Sequence, residues 1–240
     1  MDTKKDRDKI IAIIPARGGS KGIKGKNLMD FLGKPLVAWS IIQALSAKEI
    51  DEVFVSSDSD EILDISSKNG AKTIKRPDNI SGDTATTESA LQHAMGEIGD
   101  AKSLILMQPT SPLRKRDDLS NAISQYLKEG CDSLFSGALL EDFLIWDKNE
   151  KGDLCSINYD YQNRGRRQDR TPQYVENGSF YIFKPEVLKT GNRLGGKIGV
   201  YLMDFWQSSE IDSPEDVEIV KTLFSVNLKG SYGSIPEHKI

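Results

Sequence analysis

The chain has 240 residues, 38% of them apolar and 28% charged, with a formal net charge of -4. That length suits one α/β domain with a sizeable core, and the acidic balance leaves no global footprint for nucleic acid. No apolar run approaches the roughly 18 residues needed to span a bilayer, so no membrane partner is expected.

The charged start "MDTKKDRDK" leads directly into a strand. No signal peptide is therefore expected, and a cytoplasmic location is. "IIAIIP" (10–15) reads as a buried strand: short, rich in isoleucine and ended by Pro15. Pro35 opens a helix through "LVAWSIIQAL" (36–45). "EVFVSS" (52–57) is the next strand, with Asp58 or Ser59 capping the helix after it, and "AKTIKR" (71–76) is a short strand. "TATTESALQHAMGEI" (84–98) is a helix with Thr84 to Thr87 near its start, and "SLILMQ" (103–108) a strong buried strand. Asp117 and Asp118 suit the first turn of a helix through "LSNAISQYLKE" (119–129), and "CDSLFSG" (131–137) is again a strand.

Residues 139–176 break this rhythm, being polar and irregular with a basic cluster "NRGRRQDR" (163–170). "SFYIF" (179–183) and "IGVYLM" (198–203) restore strand character. In the closing helix "SPEDVEIVKTLFSV" (213–226), Ser213 is the N-cap and Pro214 the first helical residue, with Glu215 and Asp216 in the first turn. The tail "NLKGSYGSIPEHKI" (227–240) reads as loosely ordered. The alternation predicts a single α/β domain over 1–240, with a Rossmann-like, mostly parallel sheet, helices on both faces and a small excursion at 139–176. Such sheets bind ligands beyond the carboxyl ends of their strands.

The loop after the first strand carries Arg17, Lys21, Lys24 and Lys26 among glycines that let the backbone approach an anion. A triphosphate is the natural guest. The loop is not a Walker A motif, because Ser20 stands where its first glycine belongs and Asn27 where its Ser or Thr would follow Lys26; nor does it fit GxGxxG. Cys131 and Cys155 form no CxxC pair, and His93 and His238 lie far apart, so no zinc site is expected and the thiols read as structural.

"PARGGSKGIKGKN" (15–27) resembles the nucleotide-binding signature of the CMP-sialic acid synthetases (acylneuraminate cytidylyltransferases). Four further stretches are similar to that family, in its order: "KRPDNISGDTATTESA" (75–90), "LMQPTSPLR" (106–114), "RRQD" (166–169) with "YVENGSFYIF" (174–183), and "SSEIDSPEDVE" (208–218). Together they run from residue 10 to about residue 222, nearly the whole chain.

The resemblance implies a nucleotidyltransferase-type fold and a reaction between CTP and a nonulosonic acid. The sugar's anomeric hydroxyl attacks the α-phosphorus, and the CMP-sugar and pyrophosphate result. Arg17, Gly18, Ser20, Lys21, Lys26, Asn27, Arg76, Thr86 and Thr87 are then expected at the nucleotide. Asn27 or Arg17 would read the cytosine edge. Gln108, Arg167, Gln168 and Asn177 are expected at the sugar, with Arg166 and Arg164 as alternatives to Arg167 for the carboxylate. Magnesium is expected on Asp212 with Glu210, where the family more often carries an aspartate in the latter place. Arg17, Lys21 and Asp212 would carry the catalysis. The excursion resembles the family's dimerisation arm, which implies a homodimer. The same chemistry with a legionaminic, pseudaminic or Kdo-type acid, or with GTP, stays open. A non-catalytic nucleotide-binding module is the reading from another class, weakened by the presence of Asp212 and Arg167.

Overall fold

The computed structural model describes residues 9–140 and 143–232. In chain order the elements are β1 (Ile10–Pro15), β2 (Asp30–Phe31), β3 (Lys34–Pro35), α1 (Leu36–Ser46), β4 (Glu52–Ser57), α2 (Asp60–Lys68), β5 (Lys72–Lys75), α3 (Thr87–Ile98), β6 (Ser103–Met107), α4 (Asp118–Glu129), β7 (Ser133–Leu139), β8 (Trp146–Lys148), β9 (Leu154–Ser156), β10 (Tyr174–Phe183), α5 (Pro185–Leu188), β11 (Ile198–Leu202) and α6 (Pro214–Asn227). Seven strands make one sheet in the order β11–β7–β10–β6–β1–β4–β5. Every pairing is parallel except the two made by β10, which runs antiparallel between β6 and β7.

β1 shows why an uninterrupted apolar run belongs at the sheet's centre. Ile10, Ala12 and Ile14 face a core shared with α1, α2 and α4, while Ile11 and Ile13 face a second core under α3 and α5. Side chains alternate between the faces, so burial on both sides demands apolar residues at every position. Pro15 closes the run because it has no N–H to give the ladder. α1 is buried on most of its surface for a related reason. Val37, Ile41 and Ala44 pack on the sheet, and Leu36 and Trp39 pack on α6 in a third cluster with Phe31, Ile211 and Phe224. Trp39 meets the Phe224 ring edge-on at 4.6 Å and donates its indole N–H to the Phe31 carbonyl at 2.6 Å.

Helix ends follow the sequence closely. Ser59 caps α2, accepting from the Ile62 amide. Ser213 and Asp216 form a capping box at the start of α6, with Pro214 in its first turn.

Three expectations change. The strand expected at 179–183 begins at Tyr174 and is antiparallel, because the chain leaves β7 through the arm at 140–173 and not through a crossover helix. Its first residues pair with β7 alone, so it overhangs the end of β6, and its register shifts between Glu176 and Tyr181. The arm carries a small antiparallel hairpin, β8–β9, where irregular chain was expected. The tail is packed as far as it is described: Leu228 is buried, and Tyr232 donates to the Arg114 carbonyl at 2.8 Å. Expectations for the first eight residues and for 233–240, His238 included, fall outside the described residues. No helix among the described residues is long and apolar enough to cross a membrane.

Candidate active site

A cleft of about 550 Å³ opens at the carboxyl ends of β1 and β6. Its first wall is the glycine loop after β1. Asn27 is buried and donates its amide N–H to the Arg17 carbonyl at 2.9 Å, which closes the loop on itself. The Gly18 amide donates to Asp58 at 2.8 Å. Gly22 is demanded by close approach, since a Cβ there would come within 2.1 Å of the Asp212 carbonyl oxygen. The loop's backbone therefore rests directly on the 210–212 segment.

The cations of the loop face carboxylates across the cleft. Arg17 and Lys21 share Asp83, at 3.1 and 3.0 Å. The Lys21 hydrogen bond holds the Asp83 carboxyl below the ordinary aspartate value. Lys26 donates to the Ile211 carbonyl at 2.8 Å and to Asp212 at 3.0 Å. Ser20, Lys21, Lys26, Thr86, Thr87, Gln108 and Asp212 all line the cleft.

Arg76, Asn27 and Thr86 line the cleft and also make structural bonds of their own, while Asn177 lies outside it. Arg76 lines the cleft, but its guanidinium is buried and donates to the Ser56 carbonyl at 2.6 Å. Burial pushes its pKa down, an effect opposed by Asp58. It ties β5 to β4 more than it presents charge. Asn27 lines the cleft too, with one of its two amide N–H donors committed to the Arg17 carbonyl. Thr86 caps α3, accepting from the Ser89 amide at 3.1 Å, while still lining the cleft. Asn177 is 1% exposed and does not line the cleft. Its carbonyl oxygen accepts from Ser136 Oγ at 2.6 Å and its amide faces Met203, so it braces the β10 bulge.

Gln168, Arg164 and Arg166 are also absent from the cleft. They line a second cavity of about 570 Å³ between Leu139, Leu140, Phe143 and Leu144 on one side and residues 158–173 on the other. Arg166 there pairs with Asp169 at 2.8 Å. The Arg167 side chain falls outside the described part of the structure. Sequence reasoning left two residues without a role, both inside quoted motifs: Asp83, in "GDTATT", and Arg114, the last residue of "QPTSPLR".

Asp212 is exposed and lines the cleft, and Glu210, two residues back on the same segment, is half-buried just behind that lining. Burial raises the Glu210 pKa, and the nearby Asp212 charge raises it further. Gly178 (φ +64°) lies against this carboxylate; a Cβ there would meet Glu210 Oε1 at 2.2 Å and Gln108 Oε1 at 3.3 Å. Two neighbouring hard oxygen donors beside a polyphosphate-sized basic loop suit magnesium, which takes one or two carboxylates plus phosphate oxygens and not an all-protein cage. The described residues contain no cluster of three or more acidic, histidine or cysteine ligands.

The family model for cytidylyltransferases matches residues 11–219. The chain belongs to the cytidylyltransferase family. It is 36% identical to N-acylneuraminate cytidylyltransferase A of Danio rerio, over 85% of this chain and 48% of that one. It is 32% identical to a pseudaminic acid cytidylyltransferase of Campylobacter jejuni, over 93% of this chain and all of that one. The chain thus spans about half the length of the fish relative and the full length of the bacterial one. These matches bear out the resemblance to the acylneuraminate cytidylyltransferases. Among solved structures, the fold is similar to CMP:2-keto-3-deoxy-manno-octonic acid synthetase complexed with CTP, at a TM-score of 0.69 and 19% identity, covering 92% of this chain and 100% of that one. This bears out a nucleotidyltransferase fold for the cytidylyltransferase described here.

Proposed function

We propose that the protein transfers the cytidylyl group of CTP to the anomeric hydroxyl of a nonulosonic acid. One observation carries this reading. A single cleft at the strand ends gathers three cations of the glycine loop with Asp212, the carboxylate that Lys26 contacts. Polyphosphate chemistry needs charge neutralisation and in-line placement more than covalent help. Arg17 and Lys21 hold the β- and γ-phosphates, and Lys26 holds the α-phosphate next to Asp212. A bond forms between the anomeric oxygen and the α-phosphorus. The α–β bridging bond breaks, and pyrophosphate leaves with its electron pair. Magnesium held by Asp212 and Glu210 supplies further neutralisation of the phosphate oxygens when bound. Gln108, at the far wall of the cleft, orients the sugar. No histidine lines the cleft among the described residues; the hydroxyl proton passes to a carboxylate or to water.

The arm supplies the second half of the reading. Phe143, Trp146, Leu154, Ile157 and Tyr161 are large apolar side chains exposed on it. We infer that a second copy of the chain covers them, bringing the basic cluster, whose Arg164, Arg166 and Arg170 do not line this chain's cleft, toward the partner's. The free thiols Cys131 and Cys155 suit a reducing, cytoplasmic setting.

The test is pyrophosphate release with magnesium and CTP, offering N-acetylneuraminic, legionaminic, pseudaminic and Kdo acids in parallel. Release with one acid, from a species of twice the chain mass in sedimentation, is the expected outcome. Release with none while CTP binds, or full activity in a monomer, overturns the corresponding half. A pseudaminic-type acid is the second reading, favoured by the full-length match to the Campylobacter jejuni enzyme of that name.

A further inference from the structure

Arg114 has no part in the chemistry above, yet it is the most deeply buried cation among the described residues, with 0% exposure. Its Nη1 donates to Gln43 Oε1 at 2.7 Å and Ser40 Oγ at 3.2 Å, both on α1. Its Nη2 donates to the carbonyls of Gln108 at 2.8 Å and Ser179 at 2.5 Å. These partners are neutral, and Nε has none. Burial lowers the guanidinium pKa to about 10, so it remains charged at neutral pH. A buried charge whose hydrogen-bond partners are all neutral, with the Asp118 and Glu210 carboxylates opposing the burial only through space, is costly, and an apolar side chain would fill the same space at lower cost. Packing alone does not account for an arginine here.

What the fork joins does account for it. Gln108 begins the turn after β6, and Ser179 ends the bulge of β10. Between them lies Gly178, which rests on the Glu210 carboxylate and beside the Gln108 amide. Two residues beyond Gln108, the Thr110 carbonyl accepts from the Ile211 amide at 2.8 Å. The Gln43 amide N–H, in turn, donates to the Pro112 carbonyl at 2.7 Å. We propose that Arg114 is a positioning residue for the sugar-acid end of the cleft: its fork clamps the Gln108 turn and the β10 bulge against α1 and thereby fixes where Gln108, Glu210 and Asp212 stand. This rests on the cytidylyltransferase reading of the cleft. The phosphate end is tied separately, by Asn27 to Arg17, Gly18 to Asp58 and Arg76 to Ser56. Gly22 and Lys26 also touch the 210–212 segment, but these separate ties leave the phosphate end less dependent on the fork than the acid end is.

Arg114→Lys keeps the charge but offers one nitrogen where the fork uses two on opposite sides. In steady-state assays with the accepted acid, we expect the KM for the acid to rise about 10-fold and kcat to fall about 10-fold, as small displacements of reacting groups do. The Kd for CTP alone, by calorimetry, stays within about 2-fold because the phosphate end is anchored elsewhere. An unchanged KM for the acid with kcat reduced in step with the folded fraction overturns the proposal, and so does an equal loss of CTP affinity. Hydrogen exchange gives a readout independent of turnover. Amides of 108–114 and 176–182 should lose protection together, while 16–28 keep theirs. Loss in one segment only, or throughout the sheet, also overturns it. Should Arg114→Lys fail to fold, Gln43→Met removes one anchor of the fork from outside the cleft and should reproduce the same split at about 3-fold. If the wild type turns over none of the acids, the reading of function fails on its own, and hydrogen exchange still decides the role of Arg114.

Discussion

The two ends of the cleft are built on opposite plans. At the phosphate end, Arg17, Lys21 and Lys26 come from one contiguous loop and pair directly with the solvent-exposed carboxylates of Asp83 and Asp212. At the acid end, Gln108, Gly178 and Glu210 come from segments far apart in the chain, and a buried arginine fork joins two of those segments. Exposed ion pairs are worth little, about 0–1 kcal/mol each, so the first end yields easily to a charged ligand. The second is held by buried hydrogen bonds, and losing one partner of such a bond costs about 1–3 kcal/mol. Charge is thus offered on a compliant surface, and geometry is kept on a stiff one.

The largest test of this contrast is Asp212→Asn, at the point where the two ends meet. Turnover should fall by at least about 100-fold, with little change in thermal stability, because the side chain is exposed. Near wild-type turnover would remove Asp212 from the chemistry and leave the phosphate end working alone. Gly22→Ala probes the same junction through the backbone. The added methyl meets the Asp212 carbonyl, so loop and acidic segment must separate, at a cost of about 1–3 kcal/mol. Both CTP affinity and turnover should drop, and a crystal structure should show the 16–28 loop displaced. An unmoved loop would mean that the two ends do not share this contact.

The smallest effect lies away from the cleft and serves as a control. Glu52 is held below its ordinary pKa by Lys72 first and Lys9 second. A depressed carboxylate adds stability above its unfolded value of 4.5 and loses it as the pH falls through the folded value. Glu52→Gln should therefore melt lower than wild type at pH 7, by under about 1 kcal/mol, with the gap closing in acid. Catalysis should not change. A constant gap across pH would show that the pair contributes packing and not charge.

Much of the phosphate end was legible in the sequence because its signals are local. A glycine loop directly after a two-faced apolar strand, and a Ser-Pro-Glu-Asp helix start, each lie within a few neighbouring residues. The acid end was less legible because its contacts are long-range. Nothing near "SFYIF" announces that the strand runs antiparallel, overhangs β6 and bulges at Gly178; that follows from the route taken by the arm. Residue type also misleads where burial decides the role. Asn177 reads as ligand-binding, yet it is buried outside the cleft with its amide on Met203, whereas Arg76 and Asn27 line the cleft and also brace Ser56 and Arg17. Arg114 was quoted as the end of a motif, but no local pattern distinguishes a buried fork from a surface cation.

The shared carboxylate of Asp83 has a consequence for how affinity responds to the medium. Arg17 and Lys21 carry a counterion that is part of the chain itself, and Lys26 has another in Asp212. An entering polyphosphate therefore swaps places with tethered anions and does not meet bare cations. Fewer ions pass to or from the bulk than three basic side chains suggest. The dependence of CTP binding on ionic strength should accordingly be shallow, and dilute chloride or acetate should compete poorly, because an anion already in place must be outbid by several charges at once.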